Sequence, residues 1–369
     1  LRAFYAKTSA GKGLFVDKSN ARPRSRKAAV LETVFHHTGQ RAYRSVVSLE
    51  IEREKPFDKL VVPGQRGPQR LWRHAGAVSG ILLSQDGHIL TSLYNLGNVA
   101  LLVRPARGPV PPEMRLADAL DSIKKITAHM PDGRAVEAEL LGRHEGLGVA
   151  LLQTKTPEGE SRDYGASLLT PVGDAFYETG RFVLAVGNPF GARRLADPLL
   201  AFGVLSKQHL PDAGDRWAGQ WQTDASVTDA TCGGAAVDLE GRLIGMLHLW
   251  FPGHHGRNSG IGFVVPWSQI APVLPELQRG RVFALPWIGV NWGPTDDGLA
   301  VNGIVDASPA EAAGLKKGDL ILRMNGVAVT SLEEALSELH GKWSGDALTL
   351  TVRRGDERLE IVVTLGARK

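Results

Sequence analysis

From Ser45 to Val265 the chain is cut into short apolar runs, each closed by glycine, proline or aspartate. Runs of this length bounded by turn formers specify strands rather than helices. Val46–Ile51, Gly80–Ser84, Ile89–Ser92, Ile123–His129, Ala135–Leu141 and Val149–Gln153 form one group of six. Phe182–Val186, Leu199–Ser206, Gly219–Thr223, Ala235–Leu239, Leu243–Trp250 and Gly262–Val265 form a second. Two such groups predict a mainly β protein with a pair of β-barrels. The 43 glycines and 21 prolines suit that architecture, and 369 residues at 43% apolar content can bury more than one core.

Around this region the character of the chain changes. Residues 1–44 form a basic arm, with a short helix predicted near Lys27–His36. Its first thirty residues hold Arg2, Lys7, Lys12, Lys18, Arg22, Arg24, Arg26 and Lys27 against the single acid Asp17, an excess larger than the whole chain's net +4. A solvated tail explains this, and attraction to an acidic surface or partner is the alternative. Aromatic residues do not interleave with the basic ones in a stacking pattern, so nucleic acid is not an expected partner. No run of about 18 apolar residues is present, which excludes a spanning helix of that kind. The chain begins at Leu1 without an apolar signal core, so any targeting segment is out of view. One cysteine excludes an internal disulfide. No cofactor is expected, and the adjacent His254 and His255 lack a third ligand at metal-binding spacing.

The most informative stretch is Gln222–Met246, QTDASVTDATCGGAAVDLEGRLIGM. A small reactive residue followed by Gly233-Gly234, then a strand, a turn at Gly241 and a second strand, is the layout of a nucleophile loop. Glycines there let backbone N–H groups face a developing oxyanion. The reactive position holds Cys232.

Thr223-Asp224-Ala225, Cys232-Gly233-Gly234, Gly187-Asn188-Pro189-Phe190-Gly191 and Gly260-Ile261-Gly262-Phe263-Val264-Val265-Pro266 together resemble the HtrA/DegP family of trypsin-fold proteases. A C-terminal segment similar to a PDZ domain follows them in family order. The resemblance runs from about Val46 to Leu365. It implies a trypsin-like double β-barrel over 45–266, a linker helix within 267–283 (read at Ser268–Arg279) and a PDZ domain over 284–366. It also implies serine endopeptidase chemistry, protein quality control, an extracytoplasmic or periplasmic location, and trimer formation. The arm does not clearly match the family's trimer-forming segment.

Trypsin-fold catalysis needs a nucleophile, an imidazole to take its proton and a carboxylate to orient that imidazole. The resemblance places the histidine at Tyr94, after Asp86-Gly87-His88-Ile89-Leu90-Thr91-Ser92-Leu93. It places the aspartate at Gly148, before Val149-Ala150-Leu151-Leu152, and the serine at Cys232. Cysteine is a capable nucleophile only with a base or a lowered pKa. Tyrosine, with a usual pKa of about 10, accepts its proton poorly. Glycine orients nothing. The oxyanion glycine is replaced by Ala230, which is disfavoured if that position needs φ > 0.

His248, on the strand after the nucleophile loop, is a candidate substitute base that fills the space left at Gly148 and reaches the Tyr94 hydroxyl. A strand histidine satisfied by backbone is the alternative. His144 is expected in a loop, and His88 is expected to point away from the site. Trp217, Trp221, Trp250 and Phe251 either wall a cleft beside Cys232 or serve as core. Arg104–Asp121, with its Gly-Pro-Val-Pro-Pro, reads as a surface loop flanking the site.

In the PDZ-like segment, Ile288, Gly289 and Val290 resemble the loop whose amides hold a peptide's C-terminal carboxylate. Ile304-Val305-Asp306, Ser308-Pro309-Ala310, Ala313-Gly314-Leu315 and Gly318-Asp319-Leu320-Ile321 continue the pattern, and Asn325-Gly326 makes a hairpin turn. Ser331 with Glu334 predicts a capping box for a helix over Leu332–Leu339, whose Leu332 and Leu336 would line a groove open to an added strand. The expected function is binding of protein C-termini or unfolded segments, as scaffold, adaptor or chaperone, by a fold that has lost proteolysis. An active Cys232 peptidase and a thiol sensor are the alternatives. An exposed, low-pKa thiol favours either alternative, and a buried one favours the scaffold.

Overall fold

The computed structural model describes residues 26–54, 77–97, 116–157, 159–166, 168–173, 177–189, 199–208, 219–249, 260–339 and 342–367. Helix α1 (Arg26–Tyr43) precedes the first barrel and is longer than the sequence suggested. Its length follows from packing. Phe35 rests on barrel core, Thr38 Oγ1 donates to the Leu239 carbonyl (2.7 Å), and a side chain at Gly39 would collide with Leu200.

The first barrel uses β1 (Val46–Arg53), β2 (Val78–Leu82), β3 (His88–Ser92), β4 (Ile123–His129), β5 (Ala135–His144) and β6 (Val149–Thr154). Its order is β5-β4-β1-β2-β3-β6, closed by pairing of β5 with β6. Closure removes the exposed edges an open sheet would leave. Helices α2 (Leu93–Gly97) and α3 (Leu116–Asp121) lie between β3 and β4. The second barrel closes in the order β10-β11-β12-β9-β8-β7. Its strands are β7 (Phe182–Gly187), β8 (Leu199–Lys207), β9 (Trp221–Thr223), β10 (Ala235–Val237), β11 (Leu243–His248) and β12 (Gly262–Pro266). All twelve strands lie where the apolar runs predicted them.

The connection to the C-terminal domain differs from expectation. The single linker helix is two short ones, α4 (Trp267–Ile270) and α5 (Leu274–Gln278), on either side of Pro272. Proline lacks the N–H that an uninterrupted helix would need there. Next comes β13 (Val282–Phe283), which the sequence did not signal and which pairs in parallel with the end of β5. Here His144 is a correction. Rather than a loop residue, it is the buried end of β5, stacked on Phe283 (4.8 Å) and edge-on to Trp343 (4.3 Å).

The C-terminal domain places β15 (Val290–Thr295), β16 (Gly298–Ile304), β17 (Leu320–Met324), β19 (Ala347–Arg354) and β20 (Glu357–Thr364) in that order. Strand β18 (Val327–Ala328) pairs with β17, and β14 (Pro286–Trp287) pairs with β21 (Gly366–Ala367). Helices α6 (Pro309–Ala312) and α7 (Leu332–Leu339) complete it. The predicted capping box forms: Glu334 N–H donates to Ser331 Oγ (3.1 Å), and Glu334 Oε2 accepts from the Ser331 N–H (3.2 Å). Among the described residues no helix is long and apolar enough to cross a membrane.

Candidate functional site

The three positions assigned by resemblance converge where the two barrels meet. Ser92 ends β3, and Tyr94 is the second residue of α2, which follows directly. Gly148 sits in the turn between β5 and β6 with φ of 66°, and its carbonyl accepts from the Leu93 N–H at 2.8 Å. Tyr94 is half-buried against the second-barrel cluster that contains Cys232. The geometry thus brings Tyr94 and Cys232 together and ties Gly148 to the same segment.

Cys232 is 0% exposed. Burial pushes its thiol up to about 12, only partly offset by hydrogen bonds involving Ser92 and the Leu249 backbone. Ser92 Oγ also reaches His248 Nδ1 at 3.0 Å, so one hydroxyl bridges thiol and imidazole. His248 is fully buried, and desolvation lowers its pKa to about 4. Thiol and imidazole are therefore both neutral at pH 7. A cysteine nucleophile needs the thiolate, and here burial outweighs the hydrogen bonds that would favour that form.

The loop carrying Cys232 is folded inward. Cys232 N–H donates to the Thr228 carbonyl (2.9 Å), and Thr231 N–H to the same oxygen (3.0 Å). Gly233 N–H donates to Leu247 O (2.8 Å). An oxyanion hole needs such donors aimed at substrate, whereas these three are spent within the protein. Ala230 corrects the conditional reading of its position: it is absent from the positive-φ residues, and its buried carbonyl accepts from Ser79 Oγ (2.8 Å). The loop has settled into a conformation that alanine tolerates.

Residues that the sequence did not single out hold this arrangement. Asn95 Nδ2 donates to Cys232 O (2.8 Å) and Thr91 Oγ1 (3.0 Å), with a weaker approach to Ser79 O (3.3 Å). Ser79 Oγ accepts from Asn188 N–H (2.9 Å) while donating to Ala230 O. Gly233, at φ 85°, admits this contact because a side chain there would collide with Ser79, Thr91 and Asn95. The signal available was the polar cluster Thr91-Ser92 and Asn95 in a segment otherwise apolar enough for core.

Of its two readings Trp221 takes that of core, for it is fully buried. Trp217, Trp250, Phe251, His254, His255 and most of Arg104–Asp121 lie outside the described residues. His88 pairs with Ser84 Oγ (2.9 Å) at the start of β3. Among the described residues no group of three metal-ligating side chains occurs.

The second candidate site lies in the C-terminal domain. Gly289 has φ of 84°, and a side chain there would collide with Ser308. Its carbonyl accepts from Val305 N–H (2.9 Å), and that of Ile288 accepts from Ala310 N–H (2.9 Å). These bonds anchor the loop carbonyls inward. Strand β15 is terminal in its sheet, so one side of its backbone is open. Helix α7 buries Ala335 in the domain core while Leu332 and Leu336 stay 46% and 40% exposed. An open strand edge and an exposed apolar helix face suit an added strand.

A family model described as a trypsin-like peptidase domain matches residues 78–246, and one described as a PDZ domain matches 286–365. A probable periplasmic serine protease, do/HhoA-like, of Haemophilus influenzae is 29% identical over 261 residues, covering 67% of this chain and 54% of its own length. A probable periplasmic DegP-like serine endoprotease of Chlamydia trachomatis is 25% identical over 358 residues, covering 90% of this chain and 64% of its own. Protease Do-like 1, chloroplastic, of Arabidopsis thaliana is 28% identical, covering 79% and 63%. The chain thus spans less than two thirds of these relatives' length.

Among solved structures, the HtrA-type protease AlgW with a decapeptide superposes with TM-score 0.58 at 21% identity, covering 91% of this chain and 99% of that one. A serine endoprotease from Yersinia pestis gives 0.59 at 23% identity, covering 91% and 98%. These likenesses concern the fold. Two closed barrels joined to a PDZ domain define a trypsin-like protease fold with a peptide-binding module. The chain combines a trypsin-like peptidase domain with a PDZ domain and is similar to HtrA-type proteases.

The depressed pKa values of two buried histidines give a pH signature. His248 and His144 are each lowered to about 4 by burial. Both are neutral when folded and protonate near 6.5 when unfolded. Stability is therefore full above pH 6.5 and falls as pH drops toward 4, by about 1.4 kcal/mol per unit for each histidine. Urea denaturation at half-unit intervals from pH 7.5 to 4.5 should show this decline. His248→Gln should remove about one histidine's share of the slope.

Proposed function

We propose that this protein is a catalytically inactive member of its family. It binds peptide or protein C-termini, and unfolded segments, as a scaffold, adaptor or chaperone. The observation that carries the reading is the state of Cys232: fully buried, its thiol raised to about 12, its backbone N–H engaged by Thr228. The positions matched to the family's triad would then be Tyr94, Gly148 and Cys232, with no carboxylate, no imidazole at the expected place and a protonated thiol. His248 is fixed through Ser92 as a neutral structural group rather than a working base. The same burial disfavours a Cys232 peptidase and a thiol sensor, both of which need an accessible thiolate.

In this reading the PDZ domain keeps the binding role, with amides of Ile288, Gly289 and Val290 holding a ligand carboxylate and Leu332 and Leu336 lining its apolar groove. Peptides in solved HtrA-type structures support the ligand class. Relatives named periplasmic support an extracytoplasmic location, although a chloroplastic one is also similar. Assembly into a homo-oligomer, a trimer by resemblance, belongs to the same reading.

Two measurements test it. Incubation of purified protein with unfolded fluorescent casein should release no fragments above a mock preparation; turnover abolished by Cys232→Ala would overturn the inactive reading. Titration of one apolar-ended peptide as free acid and as C-terminal amide should give binding on the order of micromolar for the acid, and none for the amide. Equal affinities would remove the carboxylate site.

A further inference from the structure

We infer that Pro294 sets the length of ligand the PDZ groove can grip, so that only the last four residues of a protein C-terminus pair with it. This rests on the proposed binding site and adds a limit to it. Strand β15 ends in a hairpin. Thr295 pairs with Gly298 across the two-residue turn Asp296-Asp297, and Thr295 Oγ1 donates to Gly298 O (2.8 Å). Residues flanking a two-residue hairpin turn form a hydrogen-bonded pair, and such pairs alternate with non-bonded ones along the ladder. Thr295, Gly293 and Asn291 therefore direct their backbone groups toward β16. Trp292 and Pro294 direct theirs to the open edge.

The other end of the strand agrees. Gly289 O accepts from Val305 N–H, so Gly289 faces the neighbouring chain and Val290 faces the open edge. The register shift between Asn291 and Trp292 leaves Asn302 of β16 unpaired and keeps the alternation of β15 intact. The edge thus offers backbone groups at Val290, Trp292 and Pro294.

A ligand whose carboxylate sits on the loop before β15 must run antiparallel to that strand. Its last residue then lies opposite Val290 and its third-from-last opposite Trp292, each exchanging two hydrogen bonds. Its fifth-from-last residue meets Pro294. Proline has no N–H to give, and its ring occupies the space where an incoming strand would approach. Pro294 is exposed. Strand addition stops at that point.

The test uses the full chain and a peptide array of free-carboxylate tetrapeptides. The best binder is resynthesised with Ser-Ala-Ser-Ala added at its N-terminus, and both lengths are titrated into wild type, Pro294→Val and Pro294→Ala. Wild type should bind the two lengths within about twofold. The variants should leave tetrapeptide affinity unchanged and bind the octapeptide on the order of 3- to 10-fold tighter, as a restored ladder bond would give. A wild-type protein that strongly prefers the octapeptide, or variants that preserve the wild-type ratio, would overturn the role of Pro294 while leaving the binding site standing. An array with no binder to wild type or variants would overturn the binding site itself.

Discussion

The carboxamide of Asn95 is the contact on which the site's arrangement depends. From α2 of the first barrel it donates to the Cys232 carbonyl in the second, and it is braced by Thr91 and Ser79. Ser79 extends the bridge to Ala230 and Asn188. A buried polar group left unpaired costs about 1–3 kcal/mol, so each member of this lattice fixes the next. Gly233 is what lets the two barrels come so close.

A protease of this fold would place a cleft at the same junction, with charge, water access and free N–H donors. Here the junction is closed by hydrogen bonds and behaves as core. Burial acts in opposite senses on the two titratable groups, raising the Cys232 thiol and lowering the His248 imidazole, and leaves both uncharged. Ser92 Oγ contacts both. The same chain leaves a strand edge and two leucines uncovered in its C-terminal domain. The reading proposed for the protein follows from this contrast between a sealed junction and an open groove.

Most of the architecture was legible because strand length and turn chemistry are local properties. All twelve barrel strands, the capping box at Ser331 and the glycine demanded at 289 could be read from neighbouring residues. What depended on distant contacts could not. The inward turn of the Cys232 amide, the lattice through Asn95, and the pairing of Val282–Phe283 with β5 each join segments far apart in sequence. His144 looked like a loop residue because Phe283 and Trp343, which bury it, lie far along the chain. Trp221 was ambiguous for the same reason.

The most direct test of the sealed junction is the reactivity of Cys232, the only cysteine in the chain. Iodoacetamide labelling followed by intact mass would be measured at pH 8 across a urea series. The account predicts negligible labelling in native buffer, with rates that rise only as the fold opens and that parallel the circular dichroism transition. Labelling of the native protein at the rate of a free thiol, independent of urea, would contradict it and restore a reactive nucleophile to the site.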